Sequence, residues 1–369
     1  MVGISDLLYL QCLVEIAFYH QDAAETMFHK FKAETDLVYT SEEEMQHYRR
    51  FKADLTEEGF TKHLSLSQLK EIFINSRPAI MQADVDRINS EQDSWIAAKG
   101  QLQFNGLSYG DILKRHGGSK LHKKRKKQLR GNFSKPVVAD LPPTFDSRKR
   151  FKKCARVIGH VGDQGACNSF GAMSTVGVLN DRLCIRTDGE FNKLLSPAYA
   201  AACKFKSFLV AVSARMEHRL QKCGASWQSM DYQLIPPPTP ACSSVCPNKK
   251  YGVKLSEDLH FAEPPGEYDV PSDVNAIKRE IFVNGSVTAS FDAYEDFAAY
   301  KSGVYKYVEG ALVGVHVVKL IGWGTTADTD GYWLAVNSWN EEWGEGGLFR
   351  IAFGQCEIEY EVTYGNPKL

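Results

Sequence analysis

The sequence predicts an α+β fold, a helical half followed by a β half with a cleft between them. Three observations predict it. Up to about residue 118, apolar residues lie among charges at helix-like spacing. A clear helix runs from Ser169 to about Cys184, with Ala172, Met173, Val176 and Leu179 on one face. From about residue 250, β-branched and aromatic runs stand between turn residues.

Taken in order, Leu7–Tyr19 is mostly apolar, but Glu15 interrupts it, Asp6 precedes it and no Lys or Arg supplies a basic leader. It reads as a buried amphipathic helix, with a signal peptide as the alternative. Phe28, Phe31, Tyr48 and Phe51 keep helical spacing, and Ser41-Glu42-Glu43-Glu44 reads as a cap with an acidic first turn. A second helical stretch follows Leu66, and Trp95 and Phe104 lie in a more polar segment. Lys120–Arg130 reads KLHKKRKKQLR. Like charges this dense repel, so an exposed linker is expected; a dibasic processing site and a nuclear-localisation or heparin patch are the alternatives. Ser169 is a plausible N-cap of the clear helix. Ile235–Pro240, rich in proline, forms neither helix nor central strand. Ser286–Tyr294, Gly314–Gly324, Gly331–Trp339 and Gly347–Phe353 read as strands, preceded by a helix near Ser272–Val283 with Val274, Ile277 and Ile281 on its buried face. There is no internal repeat.

The chain has 369 residues, enough for about two and a half domains at ~150 residues each. Its 44 basic and 45 acidic residues nearly cancel, which argues against a globally basic nucleic-acid binder. A hydrophobic fraction of 43% builds a sizeable core, and no apolar run reaches the ~18 residues of a membrane-spanning helix. Of nine cysteines, Cys154, Cys167, Cys184, Cys203, Cys223, Cys242 and Cys246 are crowded together, which points to disulfides and an oxidising compartment. No Cys-x-x-Cys pair occurs, and Cys242-x-x-x-Cys246 alone is a weak zinc signal. Asn132-Phe-Ser134 and Asn284-Gly-Ser286 are glycosylation sequons of a kind that chance supplies.

Three segments carry the chemistry: Asp163-Gln-Gly-Ala-Cys-Asn-Ser-Phe-Gly-Ala-Met-Ser-Thr-Val-Gly-Val-Leu179, Gly314-Val-His-Val-Val-Lys-Leu-Ile-Gly-Trp-Gly324 and Tyr332-Trp-Leu-Ala-Val-Asn-Ser-Trp-Asn-Glu-Glu-Trp-Gly344. Together they resemble the papain-like cysteine peptidases. Asn180-Asp-Arg-Leu-Cys-Ile185, Cys356-Glu-Ile-Glu-Tyr-Glu361 and Leu141-Pro-Pro-Thr-Phe-Asp-Ser-Arg148 resemble the cathepsin B-like members in particular, the last of these as a mature N-terminus. The resemblance spans 141–369. Upstream, Phe28–Leu55 resembles part of the family's inhibitory pro-region and Ile88–Gly118 a cathepsin B propeptide.

The family's chemistry needs a thiolate at a helix N-terminus, stabilised by the helix dipole and a neighbouring imidazolium. An Asn orients the His, and a Gln amide holds the oxyanion. By position, Gln164 matches the oxyanion glutamine, His316 the base, Asn337 the orienting amide and Trp339 the tryptophan that shields the His–Asn pair. Singly, each has an ordinary reading as a core histidine or a turn residue. It is their order and spacing that carry the match.

The nucleophile departs from the pattern. Without a gap, Phe170 stands where the catalytic Cys belongs and Gly171 where a Trp belongs, while Cys167 matches a structural cysteine three residues earlier. A gapped reading makes Cys167 the nucleophile, but it needs two compensating indels. Phe has no lone pair to attack a carbonyl. The family's Cys-x-Gly-Gly substrate shelf is missing, with Cys223-Gly-Ala-Ser-Trp227 its nearest remnant. The family's occluding loop is deleted, with Tyr232–Pro238 running almost directly into Thr239–Cys246, and Asn340 replaces a common Gly.

The resemblance thus implies a two-lobed papain-like fold with a pro-region-like helical segment at 1–118, a basic linker at 119–140, a helical lobe at 141–250 and a β lobe at 251–369. It implies a catalytically inactive homologue acting by binding or scaffolding, or else an active lysosomal or secreted endopeptidase using Cys167. The expected bridges are Cys154–Cys184, Cys167–Cys223 and Cys203–Cys242, with Cys246 and Cys356 left over. No cofactor or metal is expected. The expected partners are a peptide or protein ligand in a modified cleft and the chain's own pro-region, with no nucleic acid, no membrane span and a monomeric state. The expected location is extracellular or lysosomal.

Overall fold

The computed structural model describes residues 23–57, 64–101, 104–116, 141–165, 167–202, 210–213, 258–263, 268–327 and 329–369. Leu7–Tyr19, the Lys120–Arg130 tract, Ile235–Pro240 and the sequon at Asn132 lie outside them, as do Cys203, Cys223, Cys242 and Cys246. The chain forms two compact units, Met1–Asp86 with Gly106–Ile112, and Arg87–Asn105 with Leu113–Leu369.

The first unit is helical. A helix over 23–33 (α1), Ser41–Glu57 (α2) and Leu66–Ser76 (α3) enclose Phe28, Phe31, Phe51, Leu55 and Phe73. Thr40 caps α2, not the expected Ser41. The Glu43 amide donates to Thr40 Oγ1, and Glu43 Oε2 accepts from the Thr40 amide at 2.8 Å. Glu43 lies three residues after Thr40, the capping-box spacing. Ser65 and Gln68 make the same box on α3. His47 is wholly buried against Phe28 and Phe73. Its Nε2 meets the Phe73 carbonyl at 2.7 Å, and its Nδ1 the Tyr39 hydroxyl at 2.7 Å. A carbonyl only accepts, so Nε2 carries the hydrogen, and Nδ1 accepts from Tyr39. Two further helices, Gln82–Glu91 (α4) and Tyr109–Arg115 (α5), begin in this unit. Arg50 grips Asp111 with two bonds of 3.1 Å, holding 106–112 to α2.

The second unit is built on a nine-stranded sheet. Its strands are β1 (Trp95–Ala97), β2 (Phe145–Asp146), β3 (Tyr268–Val270), β4 (Val287–Tyr294), β5 (Tyr300–Tyr305), β6 (Leu312–Thr326), β7 (Thr329–Val336), β8 (Leu348–Ala352) and β9 (Glu361–Tyr364). They run in the order β1-β5-β8-β7-β6-β4-β9-β3, with β2 beside β6. All pairs are antiparallel except β8 with β5. The four long strands expected from the sequence are β4, β6, β7 and β8, each displaced by a few residues at its ends.

The central helix Phe170–Arg186 (α6) packs on β6. The Ser174 hydroxyl donates to the Val317 carbonyl at 2.8 Å, which fixes the start of the helix beside the middle of that strand. The Cys154–Cys184 disulfide joins α6 to a core of Val157, Ile158, Ile321 and Val336. Deeper in, Asp181 takes a bond from the Ser286 hydroxyl and pairs with Lys319 at 3.0 Å, while Arg182 pairs with Glu280 at 2.8 Å. These buried charges hold α6, β6 and the helix Val274–Asn284 (α7) in register.

Strand β1 is a sheet edge whose outer side is closed by side-chain amides at the end of α4 and just after it. Asn89 bonds both the N–H and the carbonyl of Ala97, and Gln92 does the same for Trp95. On its inner side β1 approaches Gly303 closely. A Cβ there would stand 2.5 Å from the Ser94 carbonyl oxygen and the Trp95 Cα, and Gly303 has φ +102°. No helix among the described residues is long and apolar enough to cross a membrane.

Candidate active site

Four loops and strands of the second unit converge on the amino end of α6. His316 lies in β6, opposite Phe291 of β4, and is wholly buried. Asn337 follows β7, its amide bonded to the Gly347 carbonyl at 2.9 Å. The Gln164 amide bonds the Ser338 carbonyl at 2.8 Å, which brings the Gln164 loop to the Asn337–Trp339 turn. Asn340 makes this turn possible with φ 58°, in the left-handed region that Asn tolerates better than most residues. Its side-chain amide donates to Asp163. The glycine common here in the resemblance is thus replaced at low conformational cost.

The structure brings together Gln164, Phe170, His316, Asn337 and Trp339. His316 Nε2 and Asn337 Oδ1 are 2.8 Å apart, and the same oxygen accepts from the Ser338 amide at 2.8 Å. That second bond fixes the flip of the Asn337 amide, so Nε2 is the protonated nitrogen of a neutral His316. Nδ1 then carries the lone pair, and no described group bonds it. Trp339 lies over the imidazole with centroids 4.9 Å apart.

Phe170 is the first residue of α6, where the helix dipole would stabilise an anion. Its ring is buried and stands 5.1 Å from the His316 ring, at 62° between planes. The next residue, Gly171, has nothing within 4 Å of where a Cβ would be. Ser169 occupies the N-cap position, but its hydroxyl makes no capping bond. Its φ of −115° and ψ of 9° are not the extended values a capping side chain needs.

Burial, reinforced by His116 beside it, pushes the His316 imidazole down to about 3 against the opposing bond to Asn337. Cys167 is half-buried, and burial raises its thiol, partly offset by Ser169. Cys167 carries a free thiol. With its thiol free, Cys167 does not form the expected Cys167–Cys223 bridge, and Cys223 itself lies outside the described residues. Cys154–Cys184 is formed, and Cys356 is a free thiol.

The Gln164 side chain is fully engaged. Its oxygen accepts from Ser338 Oγ at 2.7 Å, and its nitrogen donates to the carbonyls of Cys167 at 3.0 Å and Arg115 at 3.2 Å. Arg115 belongs to an upstream strap that sequence periodicity did not tie to the site. Gln101 donates to the Ala298 and Tyr300 carbonyls and accepts from the Gly344 amide. Phe104 meets Trp339 edge-on at 5.4 Å, and His116 meets His316 at 5.3 Å and Trp339 at 5.6 Å. The resemblance of Ile88–Gly118 to a propeptide was the only signal of this. No group of three or more His, Cys, Asp or Glu among the described residues is placed to hold a metal ion.

Residues 141–366 match the family model described as papain family cysteine protease. A gut-specific cysteine proteinase of Caenorhabditis elegans is 32% identical over 309 residues, covering 78% of this chain and 91% of the relative. Cathepsin B-like cysteine proteinase 6 of the same organism is 33% identical, covering 80% of this chain and 86% of the relative. Procathepsin B S9 from Trypanosoma congolense superposes with a TM-score of 0.65 at 26% identity, over 79% of this chain and 100% of that one. Procathepsin L 3 of Tenebrio molitor shares the fold, with a TM-score of 0.55 at 18% identity over 94% of this chain and 98% of that one. A helical N-terminal segment, a papain-like sheet and helix, and a buried His–Asn pair agree with this likeness, and the chain belongs to the papain family of cysteine proteases, among its cathepsin B-like members.

Proposed function

We propose that this chain is a catalytically inactive cathepsin B-like homologue that acts by binding or scaffolding a peptide or protein ligand. One observation carries the reading: an aromatic ring, that of Phe170, occupies the amino end of α6 against His316. A peptidase of this family attacks with a thiolate at that point, and Phe supplies neither a lone pair nor a proton. The supporting residues remain, since His316, Asn337, Trp339 and Gln164 are together, yet removal of a nucleophile alone abolishes the covalent route. The chain's own pro-region is its first partner. The Cys154–Cys184 disulfide supports an extracellular or lysosomal location.

The rival reading is an active endopeptidase using Cys167. In its favour, the Cys167 thiol is free and its carbonyl bonds the Gln164 amide. Against it, burial raises that thiol, whereas a nucleophilic cysteine needs a lowered one. A thiol-reactive epoxide probe separates the two. The inactive reading expects no labelling of the native chain; specific, stoichiometric labelling of Cys167 with loss of peptidase activity would establish the rival.

A further inference from the structure

The sequon Asn284-Gly285-Ser286 is a motif that the candidate site leaves unused, and of the two sequons it is the one within the described residues. Its three residues differ sharply in their surroundings. Asn284 is the last residue of α7 and is exposed, as is Val283 before it. Gly285 is buried where the chain leaves the helix. It has φ +98°, its N–H bonds the Ile281 carbonyl at 3.1 Å, and a Cβ there would stand 2.5 Å from Ile185 Cδ1. Ser286 is wholly buried. Its hydroxyl donates to Asp181 at 2.6 Å, and its carbonyl accepts from Arg182 Nε at 2.9 Å. The turn from α7 to β4 is thus pinned to α6 on its inner side and leaves Asn284 on its outer side.

The Asn284 amide nitrogen carries two hydrogens and gives one to Glu280 Oε1 at 3.1 Å. The same Glu280 oxygen holds Arg182 at 2.8 Å. A bond from this nitrogen to a sugar removes one hydrogen and leaves one for Glu280, so the helix end can keep its hydrogen bond.

We propose that Asn284 carries an N-linked oligosaccharide. The donor is an oligosaccharide on a polyprenyl diphosphate. A bond forms between Asn284 Nδ2 and C1 of the first sugar, the bond from C1 to the diphosphate oxygen breaks, and one amide proton is released with the lipid diphosphate. The transferase reads the sequon's serine hydroxyl, which the fold buries against Asp181, so transfer precedes the packing of α7 on α6. Ser286 serves twice, as part of the acceptor in the nascent chain and as the donor to Asp181 in the fold. The Cys154–Cys184 bridge fits an oxidising secretory compartment, where such donors are used. In this the inference rests on the location proposed above, and not on whether the chain hydrolyses peptides.

The test is peptide mapping of the full chain made in its own source or in a eukaryotic secretory host. The peptide with Asn284 should appear as glycoforms. Peptide N-glycosidase in heavy-oxygen water should collapse them to one peptide with a labelled aspartate at 284. The label separates this product from earlier spontaneous deamidation of the Asn-Gly pair, which carries none. Asn284→Gln and Ser286→Ala should each lose the glycan, and Ser286→Thr should keep it. The variants are read in whole-cell lysate, because transfer comes before folding and a variant that fails to fold still reports. Asn284 recovered wholly unmodified from the native chain would overturn the proposal, as would a glycan at 284 that survives Ser286→Ala. The same digest shows whether the location falls with it: a bare Asn284 beside reduced Cys154 and Cys184 removes both, and a bare Asn284 beside the intact bridge removes the glycan alone.

Discussion

Phe170 meets His316 with ring centroids 5.1 Å apart, so hydrocarbon faces the imidazole at the amino end of α6. Asn337 Oδ1 holds the other side of the His316 ring at 2.8 Å from Nε2.

The first expectation concerns activity. The purified chain should not cleave a Phe-Arg fluorogenic peptide, and Phe170→Cys alone should restore little. Space for a side chain is open beside Gly171, so a thiol introduced at 170 would be loosely fixed. Misplacement of about 1 Å costs ~100-fold in rate. Adding Gly171→Trp should raise the rate only if the remaining cleft accepts substrate. Wild-type turnover abolished by a thiol-directed inhibitor would return the nucleophile's role to Cys167.

Acid should loosen the helical unit. Burial holds the His47 imidazole down to about 4, helped by Arg77 and opposed by its bond to the Phe73 carbonyl. A folded value below the ordinary 6.5 means that stability is complete above about 6.5 and is lost as pH falls towards about 4. The full effect is about 3 kcal/mol. His47→Gln should lower the melting temperature at neutral pH yet flatten its fall between about pH 6.5 and pH 4. A variant with the same acid slope as wild type would show that another group controls it.

Reduction should cost stability in the second unit. The Cys154–Cys184 bridge spans a sequence separation of 30, for which loop closure gives about 3–4 kcal/mol. Calorimetry with and without reductant measures the loss. Peptide mapping under non-reducing conditions should recover Cys167 as a free thiol, and a Cys167–Cys223 crosslink would contradict the structure.

Lys319→Ala should be severe. It removes the cation 3.0 Å from Asp181, whose carboxyl burial already raises, and leaves a buried acid without its partner. Breaking one side of such a pair costs about 3–5 kcal/mol. Urea denaturation gives the value, and a loss below about 1 kcal/mol would show that Asp181 is satisfied by Ser286 alone.

Trypsin should cut first within Lys120–Arg130, since the density of like charge favours an accessible tract and packed elements resist proteolysis. Mass spectrometry of the earliest fragments reads this directly, and an initial cut at Lys149–Arg156 would reverse the order.

What was legible in the sequence was whatever repeats over short range or follows a family spacing. The β-branched and aromatic run around His316 gave β6, and the apolar face with Ala172 and Val176 gave α6. Gln164, His316, Asn337 and Trp339 were found by their order along the chain. The strap was not legible from pattern, because its anchors are single side chains far from their partners. Gln101 reaches Ala298, Tyr300 and Gly344 across about 200 positions, and no local periodicity records that. Caps misled for a related reason. Ser41 and Ser169 have the right chemistry, but Thr40 has the right reciprocal partner in Glu43, and the backbone at Ser169 turns its hydroxyl away from the cap.

The paired amides of Asn89 and Gln92 on the outer side of β1 have a consequence for the molecule in a crowded compartment. Each side chain offers one donor and one acceptor to the backbone, as a neighbouring strand would. The sheet ends on this side in two side chains and leaves no row of open peptide groups. A second molecule that meets this rim finds nothing to continue, so growth by strand addition is stopped there by the protein's own glutamine and asparagine.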